Sequence, residues 1–197
     1  MADEILLYIS AASDLEIERD LVGRAITEIP VTLGWRIKQT PHGEKVPDLE
    51  AVAKADVHLM LLGSDIRAPT GMELLIAQRS RKKPLFFRKS NAVRTPAAQV
   101  FLREMERSEK WRTFRDNSDL RHQVLTALAD HILNNAIHYS LRPDEYEGLR
   151  SWREELEKAG PQLVEETRGG TGESGIIIST ERYVPSEGIL IKKPDQN

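Results

Sequence analysis

The 197-residue sequence contains no cysteine. This absence excludes disulfide bonds, thiolate metal sites and cysteine nucleophiles. Any chemistry must therefore come from oxygen and nitrogen groups. A reducing compartment is compatible with this composition.

The chain also has little net charge and no long apolar run. Its formal charge is −3, which gives no strong attraction to nucleic acid or anionic membranes. No run approaches the roughly 20 apolar residues that a membrane span requires. The acidic start Met1-Ala2-Asp3-Glu4 does not resemble a signal peptide. We therefore expect a cytoplasmic protein whose partners are neither membranes nor nucleic acids.

Metal-binding patterns are missing as well. The sequence has five histidines, and none of them shows HExxH or another metal-ligand spacing. They are His42, His58, His122, His131 and His138. We expect no metal cofactor.

What the sequence does contain is an alternation of strands and helices. Apolar runs rich in β-forming residues predict five strands, at 5–9, 32–37, 57–62, 84–87 and 111–114. Helical spacing predicts helices between them, and the last is an apolar stripe from Leu120 to Leu133 with Asp116 or Asn117 as cap. This alternation predicts an α/β fold over residues 1–138, with a doubly wound, parallel, five-stranded, flavodoxin-like sheet.

The remaining residues differ in composition. Residues 139–160 contain a predicted charged helix from Pro143 to Ala159, ended by Gly160. Over residues 161–197, a glycine-rich linker precedes two isoleucine-rich triplets that predict a β-hairpin. Because an isolated hairpin is marginal in water, we expect it to dock on the domain or on another chain, as in a homo-oligomer.

The loop after the first predicted strand offers one candidate site. Ser10, Ala11 and Ser13 lie where this strand leads into a helix, and the free amides of a helix N-terminus attract anions. A phosphate could bind there. Alternatively, Ser13 and Glu16 form a capping box that needs no ligand. The loop lacks the glycines of dinucleotide-binding or P-loop motifs.

The segment from Ser64 to Ala77 offers a stronger candidate site. It follows the strand at 57–62 and leads into a helix, and open α/β sheets bind ligands at the carboxyl ends of their strands. Candidate substrate-binding residues here are Gly63, Ser64, Asp65, Arg67, Thr70 and Gly71.

Glu73 is the candidate catalytic residue of this segment. A carboxylate in the crevice could hydrogen-bond ribose hydroxyls, stabilise an oxocarbenium-like centre or attack it, as in glycosidic cleavage. Thr70 and Glu73 also fit a capping box, which would give Glu73 a purely structural role.

Several motifs resemble an uncharacterised TIR-like family. Tyr8-Ile9-Ser10, then Asp14-Leu15 and Glu18-Arg19, are similar to that family's first strand and its S-S-x-x-x-D-L-x-x-E-R start. Its later landmarks follow in order, as Ala55-Asp56-Val57 with Leu61-Leu62-Gly63, Glu73 with Ala77, and Lys83-Pro84-Leu85-Phe86. The resemblance covers residues 5 to about 136.

The resemblance implies a function. The family belongs to a group that unites TIR domains with nucleoside 2-deoxyribosyltransferases, and catalytic members use a glutamate on the helix after the third strand to act at the C1′ carbon. The matching residue is Glu73. The chain departs from the family at Ile9, which replaces the first serine, and between Ser64 and Pro69, where relatives carry a Y-G pair and a serine-rich loop.

Three functional hypotheses follow. The first is a nucleotide- or nucleoside-binding enzyme that hydrolyses or transfers an N-glycosidic bond, with NAD or a nucleoside as substrate and no cofactor. In it, Ser10 and nearby amides hold phosphate or sugar, and Asp65 or Arg67 orients the substrate. The second is a noncatalytic module that senses a nucleotide or assembles with partner chains. The third is a subunit of a bacterial defence or signalling complex that is active only on oligomerisation.

Overall fold

Five parallel strands form one sheet in the computed structural model, which describes residues 4–41 and 45–161. The strands are β1 (Glu4–Ala11), β2 (Gly34–Gln39), β3 (Val57–Leu62), β4 (Leu85–Lys89) and β5 (Trp111–Phe114). Their order is β2-β1-β3-β4-β5, and every neighbouring pair is parallel. The predicted α/β class with a five-stranded parallel sheet is confirmed, and the strand order is consistent with a flavodoxin-like fold. The predicted C-terminal hairpin lies outside the described residues.

Six α-helices connect and cover the strands within the described ranges. They are α1 (Glu16–Ala25), α2 (Leu49–Lys54), α3 (Ala68–Arg79), α4 (Pro96–Met105), α5 (Asn117–Asn134) and α6 (Pro143–Ala159). The helix ends follow local chemistry. Asp116 caps α5 by accepting from the Asp119 N–H, as predicted, and Gly160 ends α6 with a φ of 63°.

The two faces of the sheet carry different side chains. On β1, Ile5, Leu7 and Ile9 contribute to one large apolar core with residues of α1 and α5. Tyr8 and Ser10 alternate with them and therefore lie on the other face. That second face is covered by α2, α3 and α4, and its apolar residues form three smaller clusters.

Helix α6 extends the core of the first face. Leu149 is fully buried in that core, and Trp152 and Leu156 pack against it. The His122 ring on α5 lies 3.0 Å from the Leu156 carbonyl oxygen, and Arg153 pairs with Asp130 at 2.9 Å. Among the described helices, none is long and apolar enough to cross a membrane.

The start of the first helical segment ties the carboxyl ends of three strands together. Asp14 accepts a 2.6 Å hydrogen bond from the Ser64 N–H, just after β3. Glu18 is buried and pairs at 2.6 Å with Lys89, the last residue of β4. Arg19 donates to the Thr40 carbonyl, just after β2, at 3.2 Å. The D-L-x-x-E-R motif therefore holds the edge of the sheet where ligands bind in open α/β folds.

Candidate functional site

The Glu73 carboxylate lies at the centre of a buried polar cluster on the second face of the sheet. Its side chain is 0% exposed. The Tyr8 hydroxyl donates to Glu73 Oε1 at 2.7 Å. Ser10 and Thr40 donate their hydroxyls to Oε2 at 2.6 and 2.7 Å. Three hydroxyl groups therefore surround one carboxylate.

The strand pairing explains why these hydroxyls meet. Tyr8 and Ser10 are two residues apart on β1, so their side chains point to the same face. Thr40 follows β2 directly, and its N–H donates to the Ile9 carbonyl at 3.0 Å. The Ala11 N–H in turn donates to Thr40 Oγ1 at 3.1 Å. The backbone of β1 thus fixes the position of the Thr40 hydroxyl.

Burial governs the ionisation of this cluster. It raises the pKa of Glu73, while the hydrogen bonds from Ser10, Thr40 and Tyr8 and the charge of Arg19 act in the opposite direction. Burial and the nearby Glu73 carboxylate also raise the pKa of Tyr8. The Tyr8 hydroxyl therefore stays protonated and serves as a donor to Glu73.

His58 extends the cluster onto β3. Its side chain is buried, and Nε2 lies 2.7 Å from Ser10 Oγ. The ring meets the Tyr8 ring edge to face, with centroids 5.7 Å apart. Burial lowers the pKa of His58 to about 4, so the ring is neutral at physiological pH. Its Nδ1 atom is buried and has no hydrogen-bond partner in the described part of the chain.

The predicted capping box between Thr70 and Glu73 is wrong. Helix α3 begins at Ala68 with Arg67 as N-cap and has no side-chain cap bond. Pro69 in the first turn starts the helix earlier than expected, because its fixed φ suits that position. Thr70 lies inside the helix, 1% exposed, and its hydroxyl has no partner among the described residues. Glu73 instead points to the sheet.

The predicted capping box at the first loop is not formed either. The short 3-10 turn there covers Ser13–Leu15, and its N-cap residue is Ala12, which makes no side-chain cap bond. Ser13 is exposed inside this turn rather than at its cap. Ala11, by contrast, joins the Glu73 cluster through its bond to Thr40.

Three other candidate residues build the edge of the sheet. Gly63 lies against Asp14, since an added Cβ would fall 2.3 Å from Asp14 Oδ2. The Ser64 N–H donates to the same carboxylate. Asp65 accepts a 2.8 Å hydrogen bond from the Thr95 hydroxyl, at the N-cap of α4. These contacts hold the loop after β3 next to the first helical turn.

Arg67 and Gly71 stand apart from both groups. Arg67 is exposed at the start of α3. Gly71 faces open space, with no described atom within 4 Å of an added Cβ. The structure thus brings Ser10 and Ala11 to Glu73, whereas Gly63, Ser64 and Asp65 form the neighbouring edge.

Sequence reasoning missed Tyr8, Thr40 and His58 as members of the site. His58 is the only polar residue of β3, whose six residues are all buried. A polar side chain in such a strand is unusual, and this signal could have identified it. Thr40 gave no such signal, because its position depends on how β2 pairs with β1.

The site is closed in this conformation. Two surface cavities, of about 510 and 470 Å³, lie beside α4 and at the segment that joins α5 to α6, and Glu73 lines neither. Within residues 4–41 and 45–161, no group of three or more His, Asp or Glu residues could hold a metal ion. The arrangement is therefore a carboxylate oriented by hydroxyls. Such a group can act as a nucleophile or stabilise a cation.

Comparison of the chain with family models, with curated proteins and with solved structures finds no match.

Proposed function

We propose that the chain is a nucleotide- or nucleoside-binding, TIR-like protein of flavodoxin-like fold that cleaves or transfers an N-glycosidic bond. NAD and deoxynucleosides are the candidate substrates. The supporting observation is the buried Glu73 carboxylate, which Tyr8, Ser10 and Thr40 orient. It lies beside β1 and β3, where the strand order reverses and open α/β sheets bind ligands.

In the proposed reaction, the bond between C1′ and the base nitrogen breaks, and the base leaves with the electron pair. Glu73 either stabilises the resulting ribosyl cation or forms a bond to C1′. Water or a second base then bonds to C1′ and loses a proton. With a deoxynucleoside the departing base takes up a proton, whereas nicotinamide leaves NAD as a neutral molecule. The three hydroxyls orient the carboxylate before the substrate arrives, so little reorganisation is needed during the reaction.

Substrate access requires a local opening. Glu73 is fully buried, and α3 runs back from the carboxyl edge of the sheet. Thr70 lies three residues nearer this edge, which corresponds to about 4.5 Å along a helix. We propose that the segment 64–69 moves to admit the sugar, with Arg67 or Asp65 orienting it.

The proposed context is a cytoplasmic bacterial defence or signalling system. In that setting the protein would act as a homo-oligomer or bind a partner chain through residues 161–197. This part of the proposal rests on the family resemblance and on the composition of these residues.

The test is to incubate the purified protein with NAD and with deoxynucleosides and to measure released base by chromatography. We expect release by the wild-type protein and none by Glu73→Gln. Glu18→Gln is the matched control. Glu18 is a second buried carboxylate, near the carboxyl edge of the sheet, and it pairs with Lys89. Release that persists in Glu73→Gln would contradict the proposed role of Glu73.

The alternative is a noncatalytic module that senses a nucleotide or assembles with partner chains. The complete burial of Glu73 favours this alternative. It predicts that NAD or a nucleoside raises the melting temperature without release of base, even at protein concentrations that favour assembly. Neither binding nor release at such concentrations would argue against both functions.

A further inference from the structure

His58 belongs to the Glu73 cluster, but neither the family motifs nor the proposed reaction gives it a role. It lies in the middle of the buried strand β3 and is 2% exposed. Of its two ring nitrogens, only Nε2 has a hydrogen-bond partner in the described chain, and that partner is Ser10 Oγ. A neutral histidine carries its hydrogen on one nitrogen only. The question is which nitrogen carries it.

The two close contacts of the Ser10 hydroxyl determine which nitrogen of His58 carries the hydrogen. The Ser10 hydroxyl has one hydrogen and two close partners, Glu73 Oε2 at 2.6 Å and His58 Nε2 at 2.7 Å. An ionised carboxylate can only accept. The Ser10 hydrogen therefore points to Glu73, and the hydrogen between Ser10 and His58 must come from Nε2.

The Thr40 hydroxyl supports the ionised state of Glu73. A backbone N–H can only donate, so Thr40 Oγ1 accepts from Ala11, and its own hydrogen is free to point to Glu73 Oε2. With the Tyr8 hydroxyl, the carboxylate receives three hydrogen bonds. Hydrogen bonds to a charged group compensate for the loss of water around it.

A protonated Glu73 would leave a less favourable unpaired group on His58. If Glu73 carried a proton, it would donate to Ser10, Ser10 would donate to His58 Nε2, and Nδ1 would hold a hydrogen. That Nδ1–H would be a buried donor without a described partner. Unpaired buried donors are rarer than unpaired acceptors. The Nε2–H form leaves only a lone pair at Nδ1.

We propose that His58 is a positioning residue for Glu73: its Nε2–H donates to Ser10 Oγ, so that Ser10 donates its single hydrogen to the ionised carboxylate. A hydrogen bond received by Ser10 polarises its hydroxyl and strengthens the bond that it gives. The direction of these bonds follows from the contacts and from the ionised state of Glu73. The importance of this positioning for catalysis rests on the proposed function of Glu73.

The first experiment measures the tautomer of His58 in the wild-type protein. Two-bond ¹H–¹⁵N correlation spectra of ¹⁵N-labelled protein distinguish a protonated from a bare ring nitrogen. We expect a neutral ring with hydrogen on Nε2 and a bare Nδ1 between about pH 6 and 8, because burial disfavours the imidazolium. An Nδ1–H tautomer would overturn the proposal, since it would place a proton on Glu73.

The second experiment follows the Glu73 carboxyl through a pH titration of its ¹³C signal. His58→Phe keeps a ring of similar shape but removes the donor, so we expect the titration midpoint of Glu73 to rise. His58→Gln offers an amide N–H to Ser10 and should bring the midpoint back toward the wild-type value. Equal midpoints in wild type and His58→Phe would contradict the positioning role.

A third comparison separates this inference from the proposed function. Ser10→Ala removes the acceptor of the Nε2–H, so we expect the tautomer preference of His58 to weaken in that variant. If the wild-type protein releases base, His58→Phe should lower kcat roughly 10-fold with little change in KM, and His58→Gln should recover part of the loss. A wild-type protein that releases no base removes the proposed function, whereas the tautomer still decides the direction of the bonds.

Discussion

The two faces of the sheet differ in what they bury. The face toward α1 and α5 buries a continuous set of aliphatic and aromatic side chains. The face toward α2, α3 and α4 divides its apolar residues into three smaller clusters. On that second face, four polar residues besides Thr40 are fully or almost fully buried: Ser10, His58, Thr70 and Glu73.

The difference indicates a division of roles. A continuous apolar core contributes stability, since buried apolar area gives about 25 cal/mol per Å². Buried polar groups contribute little net stability and are costly when unpaired. On the second face, three hydroxyl groups surround the single carboxylate of Glu73. The buried polar residues of α1 and α5 lie instead in the first turns of these helices. The first face thus supplies most of the apolar core, and the second holds the hydroxyl groups around Glu73.

The largest effect is expected from a cavity in the first face. Leu128 on α5 is fully buried, and Leu128→Ala should lower the free energy of unfolding by about 2–5 kcal/mol, as for other buried leucines. Leu75→Ala is the control, because Leu75 on α3 is 45% exposed. Urea unfolding measures both. A loss in Leu128→Ala no larger than in Leu75→Ala would remove the contrast between the faces.

The next effect separates the shape of Glu73 from its charge. Glu73→Leu leaves three buried hydroxyls without their acceptor and should cost about 2–4 kcal/mol. Glu73→Gln keeps one acceptor oxygen and removes a buried charge, so it should be at least as stable as the wild type near pH 7. Urea unfolding measures both changes: at an unchanged dependence of the free energy of unfolding on urea concentration, a shift of the midpoint reports a change in stability. If Glu73→Gln lowers the free energy of unfolding as much as Glu73→Leu, the carboxylate has a structural role.

Two glycine substitutions test the contact between Asp14 and the loop after β3. In Gly63→Ala the new Cβ would meet Asp14 Oδ2 at 2.3 Å and Leu15 Cγ at 2.9 Å, so we expect a loss of about 1–3 kcal/mol. Gly71→Ala adds a methyl group to a helix in open space and should gain about 0.5–1 kcal/mol. Thermal unfolding compares them. Changes of the same sign would mean that Asp14 does not hold the Gly63 loop.

The smallest effect is the pH dependence that Glu73 contributes. Burial raises its folded pKa above the unfolded value of about 4.3, so the folded protein binds this proton more tightly. The contribution is fully present below the unfolded pKa and is lost as pH rises through the folded pKa. The stability of the wild type relative to Glu73→Gln should therefore fall as the pH rises above the unfolded pKa of about 4.3.

Urea unfolding at several pH values measures this difference, with Glu18→Gln as a second reference. A difference that stays flat or increases with pH would show that the hydroxyl donors and Arg19 outweigh burial at Glu73.

The sequence predicted most of the fold because its apolar pattern is strong. The five strands lie within two residues of their predicted bounds, and the charged helix 143–159 matches α6. Helix α3 begins five residues earlier than the predicted Glu73 start, since Pro69 opens a helix as readily as it ends one. That shift moved Thr70 from a cap position into the helix and changed the role expected for Glu73.

The candidate site was predicted only in part. Glu73, Ser10 and Ala11 were identified because they lie near strand ends in the sequence. Tyr8 and His58 lie inside strands, where periodicity indicates only burial. Their meeting with Glu73 depends on strand register, which pairs Tyr8 with His58 across β1 and β3. The register of these two strands could not be predicted from a single sequence.

The D-L-x-x-E-R motif has a consequence for how such chains are recognised. Asp14, Glu18 and Arg19 each bind a different strand end, through Ser64, Lys89 and Thr40. The charge of Arg19 also acts to lower the pKa of Glu73. The motif is therefore a signature of architecture. A chain that carries the motif should assemble the same edge whether or not it has a glutamate on α3, so the motif by itself indicates the fold and not a catalytic carboxylate.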